Sequence, residues 1–367
     1  MKTVAALLIA LALPALPVPG ARVARGVARA ELPPERVFRT VDVAGGVFAF
    51  VSPETSGPIP SGNVTAVVGG DGVLVVDSGR FPALAARMIA EIRRRTDKPV
   101  RYLVHTHWHA DHIAADAAFQ SAFPAMTFVA TDFTRAKMLE KQAAYLRDVA
   151  KNDAGYVAQL REVLEKEKSL PPENRRYLEQ EVTDLELEAR ELDGARLVAP
   201  GLTFEKEPTV HLGDRPVRIA FLGKGNTAGD AVVAVPDARV VVTGDLLVAP
   251  VPYGYGCHPA DWIATLRRLR AEQADAVAIV PGHGPVFHDW DYAKRVIAVL
   301  EAIRAQVGAA VRDGASLDET RKRVHLEPFQ EDFAGKDFGR GKAFRDFFVA
   351  SAVERAWQEA KGAMAPE

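Results

Sequence analysis

The chain has 367 residues, 48% of them hydrophobic and 26% charged, with a formal net charge of −2 and one cysteine. That balance excludes wholesale disorder, a collagen-like repeat and a small disulfide scaffold, and it supplies no overall attraction to nucleic acid. The length suits a large α/β unit with a substantial core.

Residues 1–30 read as a signal peptide, with Lys2, an apolar run from Val4 to Leu13, and Ala28-Arg29-Ala30 at the end. This order is a positive n-region, a short h-region and an A-x-A cleavage site, and the run is shorter than the roughly 20 residues a spanning helix needs. Cleavage after Ala21 or nearer Ala15, and retention as a tether, stay open. The segment carries four bases and no acid, so its removal takes the net charge to −6. A periplasmic or secreted destination follows, with no stable membrane insertion after cleavage. Cys257 is the lone cysteine, so no intramolecular disulfide can form and stability must come from the core or from metal.

Val47 to Val51 has strand composition, and Asn63 to Val68 with Val73 to Val76 around Gly69-Gly70-Asp71-Gly72 reads as a β-hairpin. Pro82 to about Thr96 repeats Leu84, Met88, Ile89 and Ile92 at helical intervals, with Arg93, Arg94 and Arg95 in the last turn. Val100 to Val104 is a buried-type strand that runs into His105. From Phe133 to Leu192 apolar residues keep a 3.6 spacing in a Lys/Glu-rich background, broken at Ser169-Leu170-Pro171-Pro172. This predicts a charged helical hairpin, to be weighed as a packing cap, a substrate lid or a dimerisation arm. Strands are predicted at 217–221, 231–235, 239–242 and 276–280, and helices at 261–271 and 292–311. Ser316-Leu317-Asp318-Glu319 is a capping box opening another helix, and Ala343 to Lys361 is amphipathic. Mixed strands and helices indicate an α/β layered fold.

The chemistry concentrates at His105-Thr106-His107-Trp108-His109-Ala110-Asp111-His112. Side chains two apart on extended backbone point the same way, so His107 and His109 can converge on one ion, and Asp111 and His112 can face a second beside it. Histidine occupies 9 of 367 positions. Three histidines and an aspartate at these offsets arise by chance on the order of 3 in 10,000 chains, which leaves little room for coincidence. Imidazole with carboxylate suits zinc, with iron or manganese as alternatives, at one or two ions per chain. No G-x-S-x-G elbow offers a rival nucleophile.

At these residues the chain resembles the metallo-β-lactamase superfamily, whose signature is H-x-H-x-D-H at a strand end. Asp77-Ser78-Gly79 matches the strand-end aspartate, Gly223 to Asp230 the G-H-T-x-G-D loop, Thr243-Gly244-Asp245 the T-G-D strand end, and Pro281-Gly282-His283-Gly284-Pro285 the P-G-H-G-P loop. The resemblance implies an αββα sandwich of two mixed β-sheets flanked by helices, with an inserted helical hairpin and C-terminal helices. It also implies a metallo-β-lactamase-like domain over 31–312, including a helical insertion at 133–193, and a helical extension over 313–367. Carried over by position, His107 and His109 hold a first metal, Asp111, His112 and His283 a second, and Asp245 bridges both. Asn226 stands where the family supplies a third imidazole to the first site. A neutral amide oxygen is a poorer zinc donor, so the first site is expected to be the weaker. Ile113-Ala114-Ala115 replaces the family's glycines, which predicts a looser approach of that loop to its neighbour.

Cys257 and His258 are substitute-ligand candidates, though loop residues of this kind are more often only loop. Tyr253-Gly254-Tyr255-Gly256 offers a substrate wall, and His105 a partner behind the ligands or a strand residue facing away. His211, His288 and His325 lack motif partners. The expected activity is an exported metal-dependent hydrolase that uses metal-bound hydroxide to cleave an ester, thioester, lactone or amide bond of a small molecule, with Asp111 and Asp245 as catalytic residues. A true β-lactamase and a non-catalytic metal- or ligand-binding protein with a decayed first site are the alternatives. Nucleic acid is not an expected partner, and the helical insertion offers a surface for oligomer formation.

Overall fold

Period-two alternation decides the layers. In the computed structural model, which describes residues 36–54 and 59–364, one sheet takes the order β1 (Arg39–Ala44), β2 (Val47–Val51), β3 (Val64–Val68), β4 (Val73–Val76), β5 (Val100–Val104), β6 (Thr127–Thr131) and β7 (Leu202–Phe204). The predicted signal peptide lies outside the described residues. Strands β1 to β4 pair antiparallel, and β4 to β7 pair parallel. The second sheet comprises β8 (Thr209–Leu212), β9 (Arg215–Phe221), β10 (Ala231–Val235), β11 (Val240–Val248) and β12 (Ala278–His283), in the order β12-β11-β10-β9-β8. It is antiparallel except for the β11–β12 pair.

Along β2, Val47, Ala49 and Val51 point between the sheets, where they meet Val217, Ile219, Val233 and Val242 of the second sheet. Phe48 and Phe50 point the other way, onto α1 (Pro82–Arg95) through Leu84, Met88 and Ile92. In the second sheet Val240 and Val242 face inward, while Val241 joins the cluster with α7 (Pro259–Glu272) and α8 (Asp291–Arg312). Strands buried on both faces read as unbroken valine-rich runs, as β4 and β10 do. The result is helix, sheet, sheet, helix.

After β5 the chain makes the single turn α2 (Ala110–Ile113) and then α3 (Asp116–Ala122). Beyond β6 come α4 (Asp132–Lys137), one wide turn at Met138–Gln142, α5 (Ala143–Lys166) and α6 (Pro172–Glu191). The hairpin predicted from the charged segment is therefore the crossover between parallel neighbours β6 and β7. Val157 and Leu160 pack on Val182 and Leu185, each contributing about 1.5–3 kcal/mol where fully buried. Leu187 of α6 joins the α1 core, which anchors the hairpin to the first sheet.

The tail forms α9 (Leu317–Arg323), α10 (Glu327–Ala334), α11 (Phe338–Ala343), a second wide turn at Phe344–Val349, and α12 (Ala350–Lys361). The Ser316–Glu319 capping box is closed in both directions. Phe333, Phe344, Phe348 and Val353 share the core of α7 and α8, so these helices pack as part of the second sheet's outer layer. Among the described residues no helix is long and apolar enough to cross a membrane.

Two expectations change. The strand predicted to stop at Val242 continues to Val248, with irregular register at Gly244, so Asp245 lies within the strand. The Ile113-Ala114-Ala115 loop is not held off. All three residues are buried, and Ala115 N donates to Gly79 O at 3.2 Å, because the small alanines fill the space without needing glycine.

Candidate metal centre

The site forms where strand ends from both sheets meet. β5 stops at Val104, and the next residues leave the sheet until α2 begins at Ala110. That abrupt change of direction brings His107 Nε2 to 3.0 Å from His109 Nδ1, and sets Asp111 and His112 on the first helical turn. From the second sheet, β11 brings in Asp245 and β12 ends at His283. His107, His109 and Asp245 form one group whose donor atoms lie within 4.8 Å of one another, and Asp111, His112 and His283 form another.

Asp245 spans the two groups. Its Oδ2 is 3.5 Å from His107 Nε2, while its Oδ1 is 3.2 Å from His112 Nε2 and 3.6 Å from His283 Nε2. Asp111 Oδ2 is 2.9 Å from His283 Nε2. Two glycines make this crowding feasible. Gly244 adopts φ +53°, and a Cβ there would sit 2.6 Å from Thr106 Cβ, while a Cβ on Gly282 would lie 2.0 Å from Asp245 Oδ1.

Asp77, at the end of β4, orients these candidate donors from behind. It is buried with φ 61°, and its carboxylate accepts hydrogen bonds from Thr106 N and Thr106 Oγ1, each at 2.8 Å. His112 Nδ1 lies 2.9 Å from Asp77 Oδ2, which directs Nε2 toward Asp111, Asp245 and His283. A carboxylate behind a ligating imidazole fixes both its tautomer and its ring orientation.

The charges fit a cation. Burial would lower the His112 imidazole, but Asp245, Asp111 and Asp77 together hold it well above its ordinary range. His107, buried and beside His112, is held well below. Burial works against ionising Asp111 and Asp245, and the surrounding histidines outweigh it, so both carboxylates stay ionised. Asp245 Oδ1 is buried and receives no hydrogen bond from any described residue. Imidazole nitrogens and carboxylate oxygens converging this closely are what a first-row divalent ion satisfies, so the donor set fits zinc or a similar metal.

Asn226, on the loop between β9 and β10, is fully buried. Its Nδ2 donates to Tyr253 O at 2.7 Å. A carbonyl can only accept, so the amide cannot be turned round, and Oδ1 faces away from it, buried and without a hydrogen bond. Tyr253 lies against His109, with ring centroids 5.8 Å apart, which ties Asn226 to the first group's side. Asp230 fixes the loop by accepting from Thr227 N and Oγ1, each at 2.8 Å.

Other candidates fall outside the two groups. Cys257 is fully buried in the core of the second sheet's helical layer, and His258 gives its backbone N–H to Gly225 O at 2.9 Å. His105 is buried against Asp116, with Nε2 to Oδ2 at 3.2 Å. His288 bonds Val277 O, His325 lies by Glu327, and His211 is exposed on β8.

A residue that sequence reasoning missed is Arg80. It is buried and ion-pairs with Glu188 of α6, its Nε donates to Pro60 O at 2.6 Å, and its Nη2 is 3.8 Å from Asp111 Oδ1. Tyr145 of α5 also bonds Glu188. The helical insertion is thereby clamped to a candidate ligand. The only signal for Arg80 was its place directly after Asp77-Ser78-Gly79.

A cavity of about 780 Å³ opens over His109, Asp111, Asp245 and His283. Tyr253 and Tyr255 form part of its wall, as expected of that loop, and α5 and α6 supply Tyr145 and Tyr177. Phe347 reaches it from the second wide turn. An adjoining cavity of about 620 Å³, against Phe287, Tyr292 and Phe333, contains none of the donors.

Comparison with known proteins agrees with this architecture. The linear primary-alkylsulfatase of Pseudomonas sp. (strain ATCC 19151) is 24% identical over 273 residues, covering 70% of this chain and 49% of that protein, so the chain spans about half the length of this curated relative. Among solved structures, a metallo-beta-lactamase from Pontibacter korlensis superposes with a TM-score of 0.52 at 19% identity, over 72% of this chain and 99% of that one. The FIM-1 metallo-beta-lactamase from Pseudomonas aeruginosa in its mono-zinc form gives 0.51 at 18% identity, over 73% and 97%. At these identities the structures speak for the fold alone. The family profile matches residues 57–283, more than half of the sequence and the stretch that carries the site from the β3 approach to His283, so this chain belongs to the metallo-beta-lactamase superfamily.

Proposed function

We propose that the protein is an exported, metal-dependent hydrolase of small-molecule esters or related acyl compounds. The observation that carries this reading is the meeting of two His/Asp donor groups, spanned by Asp245, at the floor of a 780 Å³ cavity. His107, His109, Asp245 and Asn226 would hold a first ion, and Asp111, His112, His283 and Asp245 a second. A divalent cation bound there supplies water of lowered pKa and polarises the bond to be cleaved.

The chain's own groups do the rest. Asp111 and Asp245, the two ionised carboxylates of the site, orient the attacking water, whose proton passes to the departing atom. His112 and His283 keep Asp111 ionised, and Arg80 adds to that hold from 3.8 Å. Tyr253, Tyr255 and Trp108 give the leaving portion of the substrate an apolar wall. Water adds to the acyl carbon, the bond to the leaving oxygen, sulfur or nitrogen breaks, and that atom departs protonated.

The alkylsulfatase relative favours a second reading in the same site, hydrolysis of a sulfate monoester. The leader-like order of residues 1–30 supports export. Metal analysis of the mature protein, combined with lactone, thioester, carboxylic ester, sulfate ester, phosphoester and β-lactam substrates, tests the proposal. Turnover should be abolished by a chelator, restored by zinc and lost in Asp111→Ala. Zinc titration should resolve two unequal affinities, with Asn226→His tightening the weaker. A zinc-loaded protein that turns over none of these compounds sinks the enzymatic reading and leaves a metal-binding protein.

A further inference from the structure

The helical run from Asp132 to Lys166 is interrupted by the wide turn at Met138–Gln142, in which the backbone ladder reaches one residue further than in an α-helix. Such turns are rare and concentrate at functional sites, because the extra residue re-aims the side chains around it. Here Met138 is fully buried with Trp108 and Ile113, which fixes the turn against the ligand-bearing loop. The neighbouring Lys141 and Gln142 line the same cavity as His109, Asp111, Asp245 and His283.

Three side chains bring positive charge to this cavity's wall, Arg80, Lys141 and Arg340. Two are neutralised. Arg80 is paired with Glu188, and Arg340 holds Glu54 in a fork at 2.6 and 2.7 Å. Lys141 is half-buried and has no carboxylate within ion-pair distance among the described residues. Its Nζ stands 5.4 Å from the centroid of the Trp108 ring, and that ring is 4.6 Å from the His109 imidazole. The ammonium is thus near the first donor group yet not part of it, and a π face leaves its other N–H donors available. Beside it, Gln142 is buried and its Oε1 receives no hydrogen bond. Two adjacent residues on one turn thus line a cavity whose other two basic side chains are ion-paired: Lys141, which makes no ion pair among the described residues, and Gln142, whose buried acceptor lacks a hydrogen bond.

We propose that this wide turn is the specificity element of the site, and that Lys141 recognises an anionic oxyacid group on the substrate, with Gln142 Oε1 accepting a hydrogen bond from an adjacent donor. The inference rests on the hydrolase reading for its biological meaning. An oxyacid group can be a carboxylate remote from the scissile bond or the sulfate of a sulfate monoester, and both offer the same charged acceptor oxygens.

The test is calorimetric binding to the zinc-loaded full chain of three matched probes, hexanoate, hexanesulfonate and the neutral hexanamide, in wild type, Lys141→Gln and Lys141→Arg. Lys141→Gln should weaken one or both anions about tenfold, equivalent to 1.4 kcal/mol, and leave hexanamide unchanged. Lys141→Arg should keep most of the affinity. Dependence on Lys141 for the carboxylate alone or the sulfonate alone supports the proposal and names the source. Equal losses for charged and neutral probes, no loss for either anion, or no anion binding by wild type would overturn it. Thermal melts of each variant separate misfolding from lost recognition, and Lys141→Arg keeps the comparison decisive if Lys141→Gln does not fold. Binding requires no turnover, so an absence of hydrolysis would defeat the proposed function while leaving this comparison intact.

Discussion

Replacing Asp77 by asparagine removes one charge while keeping size and tolerance of the left-handed φ 61°. The carboxylate accepts from Thr106 N on one oxygen, and from Thr106 Oγ1 with His112 Nδ1 beside it on the other. An amide offers oxygen on one side only. If its oxygen faces Thr106 N, its NH₂ faces His112 Nδ1, which must then become the lone-pair nitrogen. The proton moves to Nε2, and His112 is lost as a donor to the cation. If its oxygen faces His112, its NH₂ opposes Thr106 N–H, leaving a buried backbone donor unpaired at a cost of about 1–3 kcal/mol. The first outcome weakens the second metal group by about 10- to 100-fold, and the second lowers the stability of the apo protein. A chelator-competition zinc titration alongside urea unfolding of the apo protein measures both. Asp77→Asn with wild-type zinc affinity and unchanged apo stability would refute the argument that this carboxylate governs His112.

Two further outcomes follow from the fold. Burial, helped by the charge of Glu188, pushes the Asp153 carboxyl on α5 up to about 7. Its folded-state pKa lies above the unfolded one, so the native state gains relative stability while the group is protonated and loses it as pH climbs toward 7. Asp153→Asn should therefore match wild type near pH 4 and become more stable by about 1 kcal/mol at pH 8, once solvent screening of this half-exposed group is allowed for. A pH-independent difference in urea unfolding would contradict this. Gly244→Ala combines φ +53° with a Cβ 2.6 Å from Thr106 Cβ, so it should cost about 2–4 kcal/mol in urea unfolding. A loss under about 0.5 kcal/mol would mean that the sheets meet less closely there than described.

Much of the architecture was legible because it repeats locally. The alternation of Val47 to Val51, the hairpin turn at Gly69 to Gly72, the 3.6 spacing of the charged hairpin and the Ser316–Glu319 cap each depend on neighbours in sequence. What escaped was short or irregular. β1, β6, β7 and β8 are 3–6 residues long and fit no long period, and the helix at Ala110–Ile113 is a single turn. The two wide turns cannot be foreseen either, because a helix with one extra residue keeps helical composition.

For the site, the division follows from how far each contact reaches. The sequence determined that His107, His109, Asp111 and His112 sit together, since successive members are at most two positions apart, and it supplied the separate motifs that carry Asn226, Asp245 and His283. Only the tertiary structure decided that one carboxylate of Asp245 spans both groups, that Tyr253 fixes the Asn226 amide, that Arg80 reaches Asp111 and also Glu188, 108 positions away, and that Lys141 makes no ion pair among the described residues. Spacing along a strand sets which side chains share a face, but charge pairing and burial are sums over everything nearby in space, and those neighbours come from distant parts of the chain.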